Sequence, residues 1–251
     1  MNELHPSTDD QELYQAVSPH AVFGLLCGLA GVLALSGPLA WPIPWLGLIL
    51  SAVALVRIRR NAPALTGRRA ALAGLFLSAL FAAAGPAQWM TYRWMVRREA
   101  LQFARYWFEF LQNNEPQKAY QLTLPPNLRQ PIDASLWEFY RQGPRWYREL
   151  DHYVSVPTVR TLLALGRQAE VRFYHVEEQD RQSDSDLVAP VFAVTFTDQG
   201  QKKTFFVRLT LERMRLSRPR PSDGRRGYAD WKIQQVEGGI HPSGFEEKDS
   251  S

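Results

Sequence analysis

His152 and His175 are the chain's nearest approach to metal-ligating or acid–base chemistry inside a segment patterned to fold. Of the other three histidines, His5 and His20 precede the first apolar tract and His241 lies near the end. The pair is 23 residues apart, with no cysteine or group of carboxylates at ligand spacing beside it. Structural metal sites are built from close-set pairs, so no metal is predicted. His152 reads as a helix-end residue and His175 as a strand residue. The single cysteine, Cys27, excludes an intrachain disulfide and leaves the redox compartment open. "DSD" at 184–186 lacks the remaining positions of a calcium loop and reads as a solvated loop. Arg213, Arg215, Arg218, Arg220, Arg225 and Arg226 fall within 14 residues. They suit anionic head groups or an acidic partner, but read first as an exposed hairpin tip. No phosphate-cradling glycine loop, nucleophile elbow or zinc pattern is present. The sequence therefore offers no catalytic, cofactor-binding or metal residue, and no cofactor.

The most distinctive polar cluster does different work. "RIRRNAPALTGRR" (57–69) sets Arg57, Arg59, Arg60, Arg68 and Arg69 between two tracts without a charged side chain, 21–56 and 70–92. The first 20 residues hold four acids and no lysine or arginine, and residues 93–251 carry a net charge of only +3 (24 basic, 21 acidic). The pI near 9.3 is therefore largely set by the arginines beside apolar tracts. That is not the basic face of a nucleic-acid-binding domain, and no nucleic-acid partner is expected.

The elements around these residues follow from length and period. A single helix over the 36 residues of 21–56 would run about 54 Å, against a hydrocarbon core of about 30 Å. Pro38, Pro42 and Pro44 break the tract in its middle, so it reads as helices at about 19–37 and 43–59, with a re-entrant hairpin as the competing arrangement. Residues 70–92 suffice for a third span, with Gly85-Pro86 as a kink; Trp41, Trp45, Trp89, Tyr92 and Trp94 suit the membrane–water interface. Gly24, Gly28, Gly31, Gly47 and Gly74, with Ser51 and Ser78, recur at the spacing that lets membrane helices approach closely, within the chain or in a homo-oligomer. With three spans, the arginine connector lies in the cytoplasm and the rest of the chain outside; Arg93, Arg97 and Arg98 pull the other way, three against five.

Residues 96–240 read as an α+β domain between a mobile acidic tail (1–18) and a disordered end (241–251). Leu101, Ala104, Phe108 and Leu111 mark an amphipathic helix ended by Asn113-Asn114. "PQKAYQL" follows, then a helical region from Asp133 that breaks at Gly143-Pro144 and resumes through "RWYRELDHY". The period then changes to two in "AEVRFYHV", "TFFVRLTLERM" and "YADWKIQ"; "VAPVFAVTF" and "SVPTVRTLLAL" supply two more strands. Asp198-Gln199-Gly200 marks a hairpin, and "DRQSDSD" and "RPRPSDGRRG" longer exposed loops. The expected fold is a three-helix membrane anchor (19–95) followed by a two-layer α+β domain, with helices on a four- to five-stranded antiparallel sheet.

Two resemblances add to this. Ser18-Pro19 before a Gly/Leu/Ala helix, a proline break, "LGLILSAVALVRIRR" and "TGRRAALAGLFLS" resemble the bacterial family named domain of unknown function 4190 over residues 18–90, although Ser51 and Ser78 stand where that family more often has glycine. That resemblance implies a membrane anchor and no catalytic residue. "ARYWFEFLQNNEPQKAYQLT" and "DWKIQQVEGG" look like the opening and closing elements of the cone-shaped nuclear-transport-factor-2-like superfamily. This second likeness implies a cone that Tyr106, Tyr120, Tyr140, Tyr147 and His152 would line. Fold alone does not give function. The leading expectation is a non-catalytic, inner-membrane protein presenting an extracytoplasmic domain to a protein partner or small ligand. The rival is a tethered isomerase or dehydratase.

Overall fold

A computed structural model describes residues 16–17, 19–60, 65–182, 184–214 and 231–241 of the chain, which divides into two units, Met1–Trp94 and Met95–Ser251. The first unit is a bundle of helices. Helix α1 (Pro19–Ala30) tightens into a 3-10 turn at Gly31–Leu35; a second such turn, Pro38–Ala40, leads into α2 (Pro42–Arg60). The prolines that interrupt the apolar tract thus start α2, where their missing N–H groups leave no bond unmade. Pro38–Arg60 and the following helix, α3 (Arg68–Gln112), are each long and apolar enough to cross a membrane; the stretch Pro19–Leu35 is shorter.

Small residues set how the helices meet. A side chain added at Gly24 would strike Ser51, at Gly47 it would strike Ser78 and Cys27, and at Gly31 it would touch Pro44. As residue numbers rise on α1 they fall on α2, so the two are antiparallel. Gly74 abuts Gly24, Ser78 abuts Gly28 and Phe81 abuts Gly31, so α1 and α3 run in the same direction. Ala21, Ala54, Ile58 and Ala71 close one end of the bundle as a buried cluster. At that same end, a two-residue strand β1 (Ala16–Val17) pairs in parallel with β2 (Leu65–Thr66), Ala16 opposite Leu65. The expected mobile tail therefore ends in an ordered backbone pairing at residues 16–17; its earlier part lies outside the described residues.

Helix α3 corrects another expectation. A membrane span and a separate amphipathic helix were expected; the structure has one continuous helix of 45 residues that passes through Pro86. Between 87 and 112 there is no glycine, proline or asparagine to stop it, and its arginines and glutamates are good helix formers. It ends where expected, at Asn113-Asn114, with Asn114 at φ 57 in the left-handed region that asparagine tolerates.

In the second unit, α4 (Pro116–Gln121), α5 (Leu136–Gln142), α6 (Pro144–Ser155) and α7 (Pro157–Leu165) precede four antiparallel strands in chain order: β3 (Glu170–Arg181), β4 (Ser185–Asp198), β5 (Gln201–Met214) and β6 (Trp231–Gly238). Helix α7 is the expected strand "SVPTVRTLLAL". Pro157 opens it, Val159 and Leu162 bury at a step of three, and Gly166 stops it at φ 53, so the helical period prevails over its β-branched residues. Trp107, Phe103 and Leu111 from α3 are fully buried, as are Tyr140, Phe192, Leu209 and Trp231, and Phe108 meets Phe192 edge-on at 4.9 Å. The result is helices packed against a four-stranded antiparallel meander.

Between β4 and β5, Gln199 and Gly200 both take positive φ (50° and 80°), the two-residue turn whose twist suits a hairpin. The "DRQSDSD" segment is mostly strand rather than loop: β3 runs to Arg181, β4 starts at Ser185, and Asp186 is buried between Arg181 and Arg213 in the ladder. Opposite charges across strands hold such a residue in the sheet. Of the basic run, Arg213 lies on β5 with Glu99 at 3.6 Å, whereas Arg215, Arg218, Arg220, Arg225 and Arg226 lie outside the described residues.

Candidate functional site

Helices α4 and α6 bring two of the expected residues, Tyr120 and His152, to one groove. Gly143-Pro144 sets the start of α6, which buries Leu150 and Tyr153 and presents Arg145, Arg148 and His152 to solvent. Glu149 lies between these faces. Its two oxygens accept from different directions: Tyr120 Oη at 3.2 Å from α4, and Arg145 Nε at 3.1 Å from one turn earlier. Together with Tyr153 and Val156 these side chains line an open groove of about 550 Å³. That volume is in the range of small-molecule sites.

Beneath the groove lie two buried hydrogen-bonded couples. Trp107 Nε1 donates to Tyr153 Oη at 2.7 Å, and Gln121 Nε2 donates to Tyr140 Oη at 2.6 Å. The other side of Gln121 accepts from the backbone N–H of Gln130 at 2.8 Å. The Tyr120 ring bridges groove and core, 5.2 Å from Tyr153 and 6.1 Å from Tyr140. Burial, reinforced by the Glu149 carboxylate, pushes the Tyr120 hydroxyl up to about 12. Burial likewise raises Tyr140 and Tyr153. Phenols so disposed stay neutral and keep their protons for hydrogen bonding.

Of the five side chains expected to share a pocket, Tyr120 and His152 line the groove and Tyr140 lies in the core behind it. Tyr147 is exposed on α6, and Tyr106 lies on α3 with Gln102 Nε2 at 3.2 Å. Pocket spacing and helix spacing coincide only where the helix face turns inward, which separates Tyr147 from Tyr153 on a single helix. His175 lies on β3 beside the Tyr174 ring at 4.9 Å, on a different element from His152. Among the described residues no three His, Cys, Asp or Glu side chains are grouped as a metal ion would require. Arg145, Arg148 and Glu149 were not singled out from the sequence. The Arg145–Glu149 spacing of four on a helix was the available signal.

The five connector arginines are exposed at the ends of α2 and α3, and Arg57 Nη1 lies 3.4 Å from His20 Nε2 at the start of α1. Gly24, Gly28, Gly31, Gly47 and Gly74 are all buried against other helices of the same chain. Trp41 and Trp89 stack edge-on at 5.9 Å, with the Arg93 guanidinium 4.6 Å above the Trp89 ring. A smaller cleft of about 390 Å³ opens over Phe108, Phe173 and Phe192, edged by Arg105 and Arg172. Compared with protein-family models, with curated proteins and with solved structures, the chain matches none.

Proposed function

We propose that this chain is a multi-pass inner-membrane protein of the kind its resemblance over residues 18–90 implies. Three apolar helices hold the arginine connector in the cytoplasm and carry residues 96–251 outside, where the α+β domain binds a small ligand or protein partner without catalysing a reaction. One observation carries the reading. The bundle is packed inside out for a water-soluble protein: Gly24, Gly47, Ser51, Gly74 and Ser78 fill its centre, while Phe23, Ile49 and Phe76 are exposed by 60, 59 and 70 %. In water the large apolar groups would be buried and the small ones indifferent to position. In lipid, association gains from close packing of small residues, and large side chains face the acyl chains at no cost.

Topology tests the proposal. Compartment reporters fused at residue 62 and after residue 251 are expected to report opposite sides of the membrane. If both report the same side, the three-span arrangement is wrong and the first tract is re-entrant.

A further inference from the structure

We infer that the groove along α6 is a binding site for a small organic anion with an apolar body, such as an aromatic or aliphatic carboxylate. The inference rests on reading the second unit as a ligand-binding domain, and it names the ligand class. Charge provides the first argument. The lining holds two guanidiniums, Arg145 and Arg148, against one carboxylate, Glu149. Glu149 is already ion-paired with Arg145 and accepts from Tyr120, so the lining keeps a surplus positive charge at Arg148. The guanidiniums, by contrast, make hydrogen bonds only through Nε, and that of Arg145 also lies 5.6 Å from the Trp146 ring centroid. Arg145 uses its Nε on Glu149 and Arg148 on the Pro144 carbonyl at 3.3 Å. Their terminal nitrogens have no hydrogen-bond partner among the described residues. The two forks stand at the groove edge with their terminal nitrogens outward, and a guanidinium fork matches a carboxylate in two parallel hydrogen bonds.

Size and surface supply the second argument. An inorganic anion would leave most of the roughly 550 Å³ groove empty. The Tyr120 and Tyr153 rings and Val156 offer an apolar floor that a bare ion cannot use. The carboxylate end of the ligand sits at Arg148 and Arg145, and its apolar body lies along the tyrosines toward Val156.

Three isosteric probes test this on the full-length protein in zwitterionic nanodiscs, with empty nanodiscs as the blank: 2-naphthoate, neutral 2-naphthamide and cationic 2-naphthylmethylamine. Calorimetry is expected to show saturable one-to-one binding of naphthoate, at least tenfold tighter than naphthamide, with the amine weakest. Arg148→Gln should weaken naphthoate about tenfold and leave naphthamide unchanged. Arg148 is exposed, so its thermal melt should match the parent's and exclude misfolding. Equal affinity for naphthoate and naphthamide overturns the anion assignment while leaving a ligand-binding domain standing. Unchanged naphthoate affinity in Arg148→Gln overturns the location. If none of the three probes binds, the inference falls outright. The topology reporters do not depend on any of these outcomes.

Discussion

Tyr153 and Trp107 share a buried 2.7 Å hydrogen bond, and removing one partner costs more than the bond is worth. Tyr153→Phe strands the indole N–H of Trp107, a fully buried side chain, without water to replace the lost acceptor. A loss of about 1–3 kcal/mol in denaturant unfolding is expected, against less than about 0.5 kcal/mol for Tyr147→Phe on the exposed face of the same helix. Burial also makes stability depend on alkaline pH through Tyr120. Tyr120 is raised to about 12, and an unfolded phenol ionises near 10. Between those values the unfolded chain loses its proton while the folded one keeps it. The stabilisation is complete below about 10 and is lost as pH rises through about 12. A tyrosinate absorbance titration should show a late-ionising class that Tyr120→Phe reduces; ionisation of every tyrosine near 10 with the fold intact would contradict the buried arrangement.

At the scale of the element, the bundle helices are distinguished by what their glycines face. A Cβ at Gly47 would lie 2.3 Å from Ser78 Oγ, with its next neighbours at 3.1 and 3.2 Å. The clash is with one side chain, so Gly47→Ala should destabilise the bundle by about 1–3 kcal/mol and Ser78→Gly should restore most of it. Gly74 differs. Its Cβ would lie 2.8 Å from the Gly24 carbonyl carbon and from the Leu25 nitrogen, as well as from Ser51 Oγ. Backbone cannot step aside, so Ser51→Gly should fail to rescue Gly74→Ala. Unfolding in detergent reads both pairs, and equal rescue would show that the helices slide freely. The hydroxyls of Ser51 and Ser78, both fully buried and without a hydrogen-bond partner, face these glycines. They fill the space that a Cβ on Gly24 or Gly47 would need, 2.4 and 2.3 Å from the built positions. In the second unit, Arg129 does comparable work for a loop. Its guanidinium donates to the carbonyls of Leu124, Leu122 and Trp231, joining the stretch after α4 to β6.

For the molecule as a whole, the inside-out bundle gives an opposite expectation in lipid and in water. Phe76 is 70 % exposed on α3, inside its apolar stretch. If that surface faces acyl chains, Phe76→Lys should cost about 2.5–3.5 kcal/mol of insertion and deplete the protein from the carbonate-resistant membrane fraction. If it faces water, the same change should improve solubility and leave abundance intact. The buried glycines also narrow any homo-oligomer. Because Gly24, Gly28, Gly31, Gly47 and Gly74 already pack against the chain's own helices, subunits of such an oligomer would have to meet through the large residues outside.

The sequence by itself determined the apolar helices, the arginine connector between the second and third, the helix ends at Asn113-Asn114 and Gly143-Pro144, and the β4–β5 turn. Each depends on local chemistry: length against a known thickness, a missing N–H, a residue that accepts positive φ. The same local logic misread "SVPTVRTLLAL", where β-branched residues suggested a strand and only packing of Val159 and Leu162 revealed the helical face. It also placed Asp186 in a loop, because its arginine partners come from neighbouring strands. Tertiary structure alone decided which tyrosines meet. Tyr120, Tyr140 and Tyr153 come together from three helices around Glu149, Gln121 and Trp107, while Tyr147 on the same helix as Tyr153 does not. Helix spacing says which residues share a face, but the direction in which that face points is set by the surface against which the helix packs.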